Sequence, residues 1–339
     1  MKINRRQFIQ RTTALAPAAF LPVKLFAQEG LRGRWQRLTD LPFPVQEIYP
    51  TVLNNKIHVA GGFIVLPNNW RGPTAMHFQY SIADNQWRQL QALPEERHHP
   101  NLVACNNAIY ALGGFKPEAA GSWVMKNQTW KYQADVDKWE ILKPAPEVHG
   151  ETVCLALGND IHVVGGRHPG GENLSWIHHQ DVDRHLVFDT HSQTWRSAAP
   201  ALSVRNSAAG AVINNQLYVV GGRTVNGGNV GTLEIYDPQE DKWRDATPMP
   251  QAQGGLGAAA IDNQLIAFGG EFFGAGGRGV YAETWRYDSR TDQWHPAAPM
   301  LTPRHGLGAV SDGKQIYAIA GATEAGGNGT SAALESFQF

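Results

Sequence analysis

Short apolar runs recur along the chain at nearly even intervals, and each is closed by a pair of glycines. They read I-H-V-A-G-G at Ile57 to Gly62, I-Y-A-L-G-G at Ile109 to Gly114, I-H-V-V-G-G at Ile161 to Gly166, L-Y-V-V-G-G at Leu217 to Gly222 and L-I-A-F-G-G at Leu265 to Gly270. A sixth copy, I-Y-A-I-A-G at Ile316 to Gly321, carries Ala320 in place of the first glycine. The first glycines fall at 61, 113, 165, 221 and 269, a period of about fifty residues. Apolar runs of this length between turn-type residues predict buried strands, and such a period belongs to stacked or radial arrays.

A second pattern follows five of the six pairs: an aromatic residue with tryptophan seven positions later. These are Tyr80 and Trp87, Tyr132 and Trp139, Phe188 and Trp195, Tyr236 and Trp243, and Tyr287 and Trp294. Runs such as D-P-Q-E-D-K between them predict a hairpin, and Asn54-Asn55, Asn106-Asn107, Asn214-Asn215 and Asp262-Asn263 predict a tight turn ahead of the glycine strand. Each unit therefore reads as four strands. The sixth unit stops after Phe337 without a tryptophan strand, and R-W-Q-R-L around Trp35 supplies the missing one from the other end of the chain. Paired glycines with spaced Tyr and Trp resemble the kelch family. The resemblance implies an all-β, six-bladed propeller of four-stranded blades, its last blade closed by the N-terminal strand. The periodic tryptophans read as packing between blades.

Thirty-six glycines and twenty prolines suit many short strands and turns, and residues 28–339 read as one repetitive domain. Ahead of it, Arg5-Arg6, Phe8 and a broken apolar stretch ending near Ala27 resemble a twin-arginine export signal, which implies removal of residues 1–27 and a periplasmic or secreted protein. That stretch is too short and interrupted to form a stable membrane span. Loss of Lys2, Arg5, Arg6, Arg11 and Lys24 takes the formal charge from −1 to −6, which argues against nucleic acid as a partner. Cys105 and Cys154 lie in apolar strands and read as buried thiols, with a single bridge as the alternative.

Candidate chemistry lies where the repeat is broken. Aligned on the glycine pairs, the starts of the inner strands give three rings: Val45, Arg97, His149, Arg205, Gln253 and Arg304; then Gln46, His98, Gly150, Asn206, Gly254 and His305; then Glu47, His99, Glu151, Ser207, Gly255 and Gly306. Directly after the pairs stand Phe63, Phe115, Arg167, Arg223, Glu271 and Ala322. Sixfold symmetry predicts that Arg97, Arg167, Arg205, Arg223 and Arg304 converge with Glu47, Glu151 and Glu271. Guanidinium groups capture carboxylate, sulfate or phosphate in a bidentate fork, so these five are candidate ligand-binding residues; arginine at the inner-strand start is also a structural habit of the kelch pattern. Trp70, Trp123 and Trp176 lie in the loops of blades one to three, outside the periodic series, and are candidates to stack on a sugar or anchor a protein. The long blade-three insertion, Arg167 to His185, is rich in histidine and acid but matches no zinc spacing, so it reads as a solvated loop; no metal or other cofactor is assigned.

Two functions follow. The first is an exported binding module for an anionic small molecule, a carbohydrate or a protein partner. The second is a sugar mutarotase or epimerase, since kelch propellers include bacterial periplasmic sialic-acid mutarotases. Such acid–base chemistry needs a carboxylate or histidine, and Glu47, His99, Glu151 and Glu271 are the catalytic candidates. Galactose oxidase also uses a kelch propeller, but its copper-radical chemistry calls for a reactive cysteine and accessory domains that this chain does not offer.

Overall fold

Leu53 and Lys56 face each other across the Asn54-Asn55 turn, whose φ values of 52° and 57° are both left-handed. Asn106-Asn107 and Asn214-Asn215 do the same, which is the hairpin geometry that matches strand twist and that asparagine tolerates. The computed structural model describes residues 32–65, 71–118, 123–171, 178–274 and 276–339. In blade one the strands run from the axis outward as Thr51–Leu53, Lys56–Ala60, His77–Ser81 and Gln86–Leu90, all antiparallel. The other blades repeat this order. Blade six takes Gly308–Ser311, Ile316–Ile319 and Leu334–Gln338 from one end of the chain and Arg34–Arg37 from the other, with Trp35 opposite Phe337. The predicted closure by the N-terminal strand is therefore observed, and no blade is left with an unpaired edge at the seam.

The seven-residue spacing is cross-strand pairing. Tyr80 faces Trp87, Tyr132 faces Trp139 and Phe188 faces Trp195, with ring centroids 4.9–5.0 Å apart. Each tryptophan also donates its indole N–H to a carbonyl of the preceding blade: Trp87 to Thr39, Trp139 to Gln91, Trp243 to Ala199 and Trp294 to Thr247, at 2.8–3.0 Å. Trp35 donates to Ala298 at 2.9 Å and so carries this outer belt across the seam.

The glycine pairs form a second belt nearer the axis. The second glycine of each pair donates its N–H to the next blade: Gly62 to Arg97, Gly114 to His149, Gly166 to Arg205, Gly222 to Gln253, Gly270 to Arg304 and, closing the circle, Gly321 to Val45, at 2.8–3.0 Å. A Cβ on Gly269 would lie 2.4 Å from the Arg304 carbonyl oxygen, and its φ is +69°. Ala320 accepts the same left-handed geometry at φ 52°, at a cost of about 1 kcal/mol. The buried apolar residues form six clusters among the described residues, each shared by two neighbouring blades. Cys105 and Cys154 are free, and burial pushes the Cys154 thiol up to about 12.

Candidate functional site at the crown of the propeller

The loops that follow the glycine pairs fold back as short hairpins at one end of the axis, here termed the crown. Phe63–Val65 pairs with Arg71–Pro73, Phe115–Pro117 with Trp123–Met125, Arg167–Pro169 with His179–Asp181, Arg223–Thr224 with Gly228–Asn229, and Glu271–Gly274 with Gly277–Val280. The first residue of each hairpin is also bridged to an inner-strand leader: Gln46 to Phe63, His98 to Phe115, Gly150 to Arg167, Asn206 to Arg223 and Gly254 to Glu271, with His305 to Ala322 in blade six. Backbone bonds thus place six side chains at equivalent points around the axis.

The next residue inward turns left-handed in every blade: Glu47, His99, Glu151, Ser207, Gly255 and Gly306 have φ between 49° and 68°. Amides bond around the axis through this ring, His99 to the Glu47 carbonyl, Glu47 to Gly306, Gly306 to Gly255, Gly255 to Ser207 and Ser207 to Glu151, at 2.7–3.2 Å. Four non-glycine residues in this conformation store strain of about 1 kcal/mol each. Beyond the ring, the inner strands enclose a channel of about 340 Å³ lined largely by alanine, valine and leucine.

Arg97, Arg205 and Arg304 do not converge on this ring. Their side chains turn into the blade bodies because their carbonyls serve the glycine belt. Arg97 is fully buried over the Trp130 ring, 4.8 Å from its centroid, with Glu95 at 3.0 Å; burial, against the pull of Glu95 and Glu96, lowers its pKa to about 10. Arg205 binds Glu234 at 2.8 Å and the Val219 carbonyl. Arg304 bonds the carbonyls of Ala320, Thr302 and Ala318 and lies 3.1 Å from Glu335. These three hold the blades together and are not presented to a ligand.

The remaining charged candidates do meet. Glu47 lies 2.7 Å from His99 Nε2. Arg167 Nε is 3.1 Å from Glu151, Arg223 binds Glu271 and lies 3.9 Å from Glu151, and Ser207 donates its hydroxyl to Glu151. Glu271 also accepts the Gly326 amide at 2.8 Å and faces His305 Nδ1 at 3.5 Å. Burial pushes the Glu47 carboxyl up, but the electrostatic pull and hydrogen bond of His99, with His305 and Arg223 behind it, hold it well below the usual carboxylate range. Glu151 is likewise lowered, because Arg167, His99, Arg223 and the Ser207 hydroxyl outweigh its burial. Arg223 is raised: the cost of burying its charge is overcome by Glu151 and Glu271. Glu47 and Arg223 keep 24% and 22% of their side chains exposed, whereas Glu151 keeps 1%, so a ligand would meet the first two.

Trp123 lies edge-on to His98 at 4.7 Å and to Phe63 at 5.9 Å, forming an aromatic flank beside Glu47 and His99. Trp70, Trp176 and the proposed signal at residues 1–27 lie outside the described residues. In the blade-three insertion, His185 is a framework residue bonded to His162, His168 faces Glu147 at 3.4 Å, and His179 is buried near Phe115 with its pKa lowered to about 4 by burial. Among the described residues no group of three or more histidine, cysteine or acidic side chains has the spacing of a metal site. The alignment had already placed Ser207 and His305 in the rings, but not their bonds to Glu151 and Glu271, since those partners lie in other blades. The contact between His98 and His99 had its signal in the H-H dipeptide.

Six four-stranded blades closed by a shared strand define a β-propeller. The KLHDC2/KLHL20/DRC7 Kelch-repeats domain matches residues 149–331, and the chain belongs to the kelch-repeat family. It is similar to Kelch-like protein terF of Aspergillus terreus, 25% identical over 84% of this chain and 63% of that protein. It is also similar to human Kelch repeat and BTB domain-containing protein 12, 26% identical over 56% of this chain and 31% of that protein. The chain thus spans from about a third to under two thirds of these relatives. The solved structure of YjhT shares the fold, with a TM-score of 0.75 at 16% identity, covering 89% of this chain and 99% of YjhT. No helix among the described residues is long and apolar enough to cross a membrane.

Proposed function

We propose that this is an exported propeller that binds a carbohydrate at its crown and exchanges a proton with it through Glu47 and His99, in a reaction of the mutarotase or epimerase type. The observation that supports this most directly is the Glu47–His99 contact of 2.7 Å, made where the ring keeps a carboxylate part exposed. Opening a cyclic hemiacetal removes the proton of the anomeric hydroxyl, breaks the bond from the anomeric carbon to the ring oxygen, and delivers a proton to that oxygen. Both oxygens sit on one carbon, so the proton that Glu47 takes from the anomeric hydroxyl is the one it returns to the ring oxygen; reclosure on the other carbonyl face reverses the steps. His99 keeps Glu47 ionised and oriented. Arg167 and Arg223 are already matched by Glu151 and Glu271, which favours a hydroxyl-rich ligand over a simple anion; an acidic sugar would share the part-exposed Arg223.

Exchange between the anomers of a panel of neutral and acidic sugars, followed by NMR, tests the reaction. Acceleration by the wild-type protein and its loss by about a hundredfold or more in Glu47→Gln is expected. No acceleration, with binding retained, would leave a carbohydrate-binding module; neither binding nor acceleration would remove the sugar altogether. Export is tested by the mass of the protein recovered from a periplasmic extract, expected to lack residues 1–27. A protein partner is the second reading, favoured by Phe273, 59% exposed on the blade-five hairpin at the crown. It predicts that Phe273→Ser abolishes partner binding while sugar binding stays intact.

A further inference from the structure

His98 reaches the ring from behind. Its Nδ1 lies 2.7 Å from Nδ1 of His99, whose Nε2 in turn lies 2.7 Å from Glu47. His98 is 5% exposed, stacked on Phe115 at 4.9 Å and 13° with Trp123 edge-on, and its buried Nε2 has no hydrogen-bond partner among the described residues. Its backbone is held by reciprocal bonds to Phe115 at 3.0 and 2.8 Å, and its ring is packed against Phe115 and Trp123.

Two Nδ1 atoms in hydrogen-bond contact share one proton: two protons would clash and none would set lone pair against lone pair. Burial keeps His98 neutral, so it carries a single N–H. With that proton on Nε2, a buried donor would face an aromatic box with no acceptor, and an orphaned N–H is among the least tolerated features of a protein interior. With it on Nδ1, the proton is donated to His99. We infer that His98 is a positioning residue: it donates Nδ1–H to His99 Nδ1 and so holds His99 in the tautomer with Nε2–H directed at Glu47.

A second proton on His99 would have to sit on Nδ1. It would force the His98 proton onto the orphan Nε2. The other groups facing this pair are Glu47 and Tyr49 from the blade-one leader, Arg97 beside His98 in its own blade and Glu151 from blade three, with Arg223 and His305 acting on Glu47. Glu47 draws the Nε2 side of His99 toward the crown, while His98 fixes its other ring nitrogen. The role deepens the acid–base reading proposed above, yet it concerns proton positions that exist without any sugar.

Histidine-selective ¹⁵N NMR of the full chain reads those positions directly. In the wild type, His99 is expected with bare Nδ1 and protonated Nε2, and His98 with protonated Nδ1 and bare Nε2; an Nε2–H on His98 overturns the inference. In His98→Phe, which fills the aromatic box, His99 Nδ1 loses its donor, and its ¹⁵N signal is expected to move away from the position seen in the wild type. His98→Asn, whose amide N–H can stand in for Nδ1–H, is expected to restore the wild-type His99 signals. Identical His99 ring ¹⁵N signals in wild type and His98→Phe would also overturn it. Should these results hold while no sugar is turned over, the positioning role stands and the mutarotase reading falls; the reverse pattern separates them the other way.

Discussion

The crown has two flanks built on the same backbone. Immediately after the glycine pair, blades one and two place Phe63 and Phe115, while blades three, four and five place Arg167, Arg223 and Glu271, and all are held by the same bridge to an inner-strand leader. On the first flank, rings pack on rings: Phe115 on His98, and Trp123 against both His98 and Phe63. On the second, charges are matched across blades, with Arg167 and Arg223 set against Glu151 and Glu271. Glu47 stands at the seam, bonded to His99 on the aromatic side and influenced by Arg223 and His305 on the ionic side. The difference teaches that a repeated backbone fixes where a side chain appears, while its partners decide whether the place is an ion network or a packed core.

The largest effect is expected on the ionic flank. Glu151→Gln keeps the shape but leaves Arg167 and Arg223 short of a buried counter-charge, and is expected to cost about 3 kcal/mol in denaturant unfolding. A loss below about 1 kcal/mol would show that Glu271 and solvent compensate. For the same reason the double change Arg167→Ala with Arg223→Ala would strand Glu151 and Glu271, so ligand affinity in that variant must be measured alongside its stability.

Acid should separate the buried histidines from the carboxylates of the crown. Burial lowers His58 to about 3 and His77, His149, His162 and His185 to about 4, and puts His98 well below its ordinary 6.5. The unfolded chain therefore binds more protons than the folded one once the pH drops below 6.5, and stability falls from there toward pH 4. Glu47 and Glu151 are held below 4.5, so their contribution is present above 4.5 and is lost only as the pH falls further. Histidines thus account for the decline between pH 6.5 and 4.5, and the carboxylates join beneath it. His77 supplies a direct check: it donates to the Gln91 carbonyl that also receives the Trp139 indole, and blades two and five carry Thr129 and Thr284 at its position. His77→Thr should shallow the decline between pH 6.5 and 4.5; an unchanged slope in urea unfolding at pH 7 and pH 5 would locate the acid sensitivity elsewhere.

The smallest effect is expected on the aromatic flank. Phe115→Leu removes the ring stacked on His98 but no charge, and should cost about 1–2 kcal/mol by thermal unfolding. If it equals the loss in Glu151→Gln, the two flanks are energetically alike and the contrast between them is only chemical.

Much of this was legible in the residues. The aromatic residue seven before each tryptophan is its cross-strand partner, the asparagine pairs are left-handed turns, and Trp35 completes the blade that ends at Phe337. The ring alignment also named Glu47, His99, Glu151, Arg167, Arg223 and Glu271, which do meet at the crown. It went wrong for Arg97, Arg205 and Arg304 because a position in a repeat specifies the backbone site and not the direction of a long side chain. That direction was set by Trp130, Glu234, Glu335 and blade carbonyls awaiting a donor. The crown hairpins were read only as loops, since their paired strands are two to four residues long and carry no apolar alternation.

What the residues alone determined was the number of blades, the closing strand, and the glycine and tryptophan belts. Each of these depends on local turn preferences and on burial that repeats with a fixed period, and a linear chain displays both. The tertiary structure decided which charges are neutralised, which remain in reach of a ligand, and how His98, His99 and Glu47 are strung together. Arg223 finds Glu271 across 48 positions and Ser207 finds Glu151 across 56, each a full blade away. Electrostatics falls off over a few ångströms of space and takes no account of separation along the chain, so only closure of the ring brings those partners together.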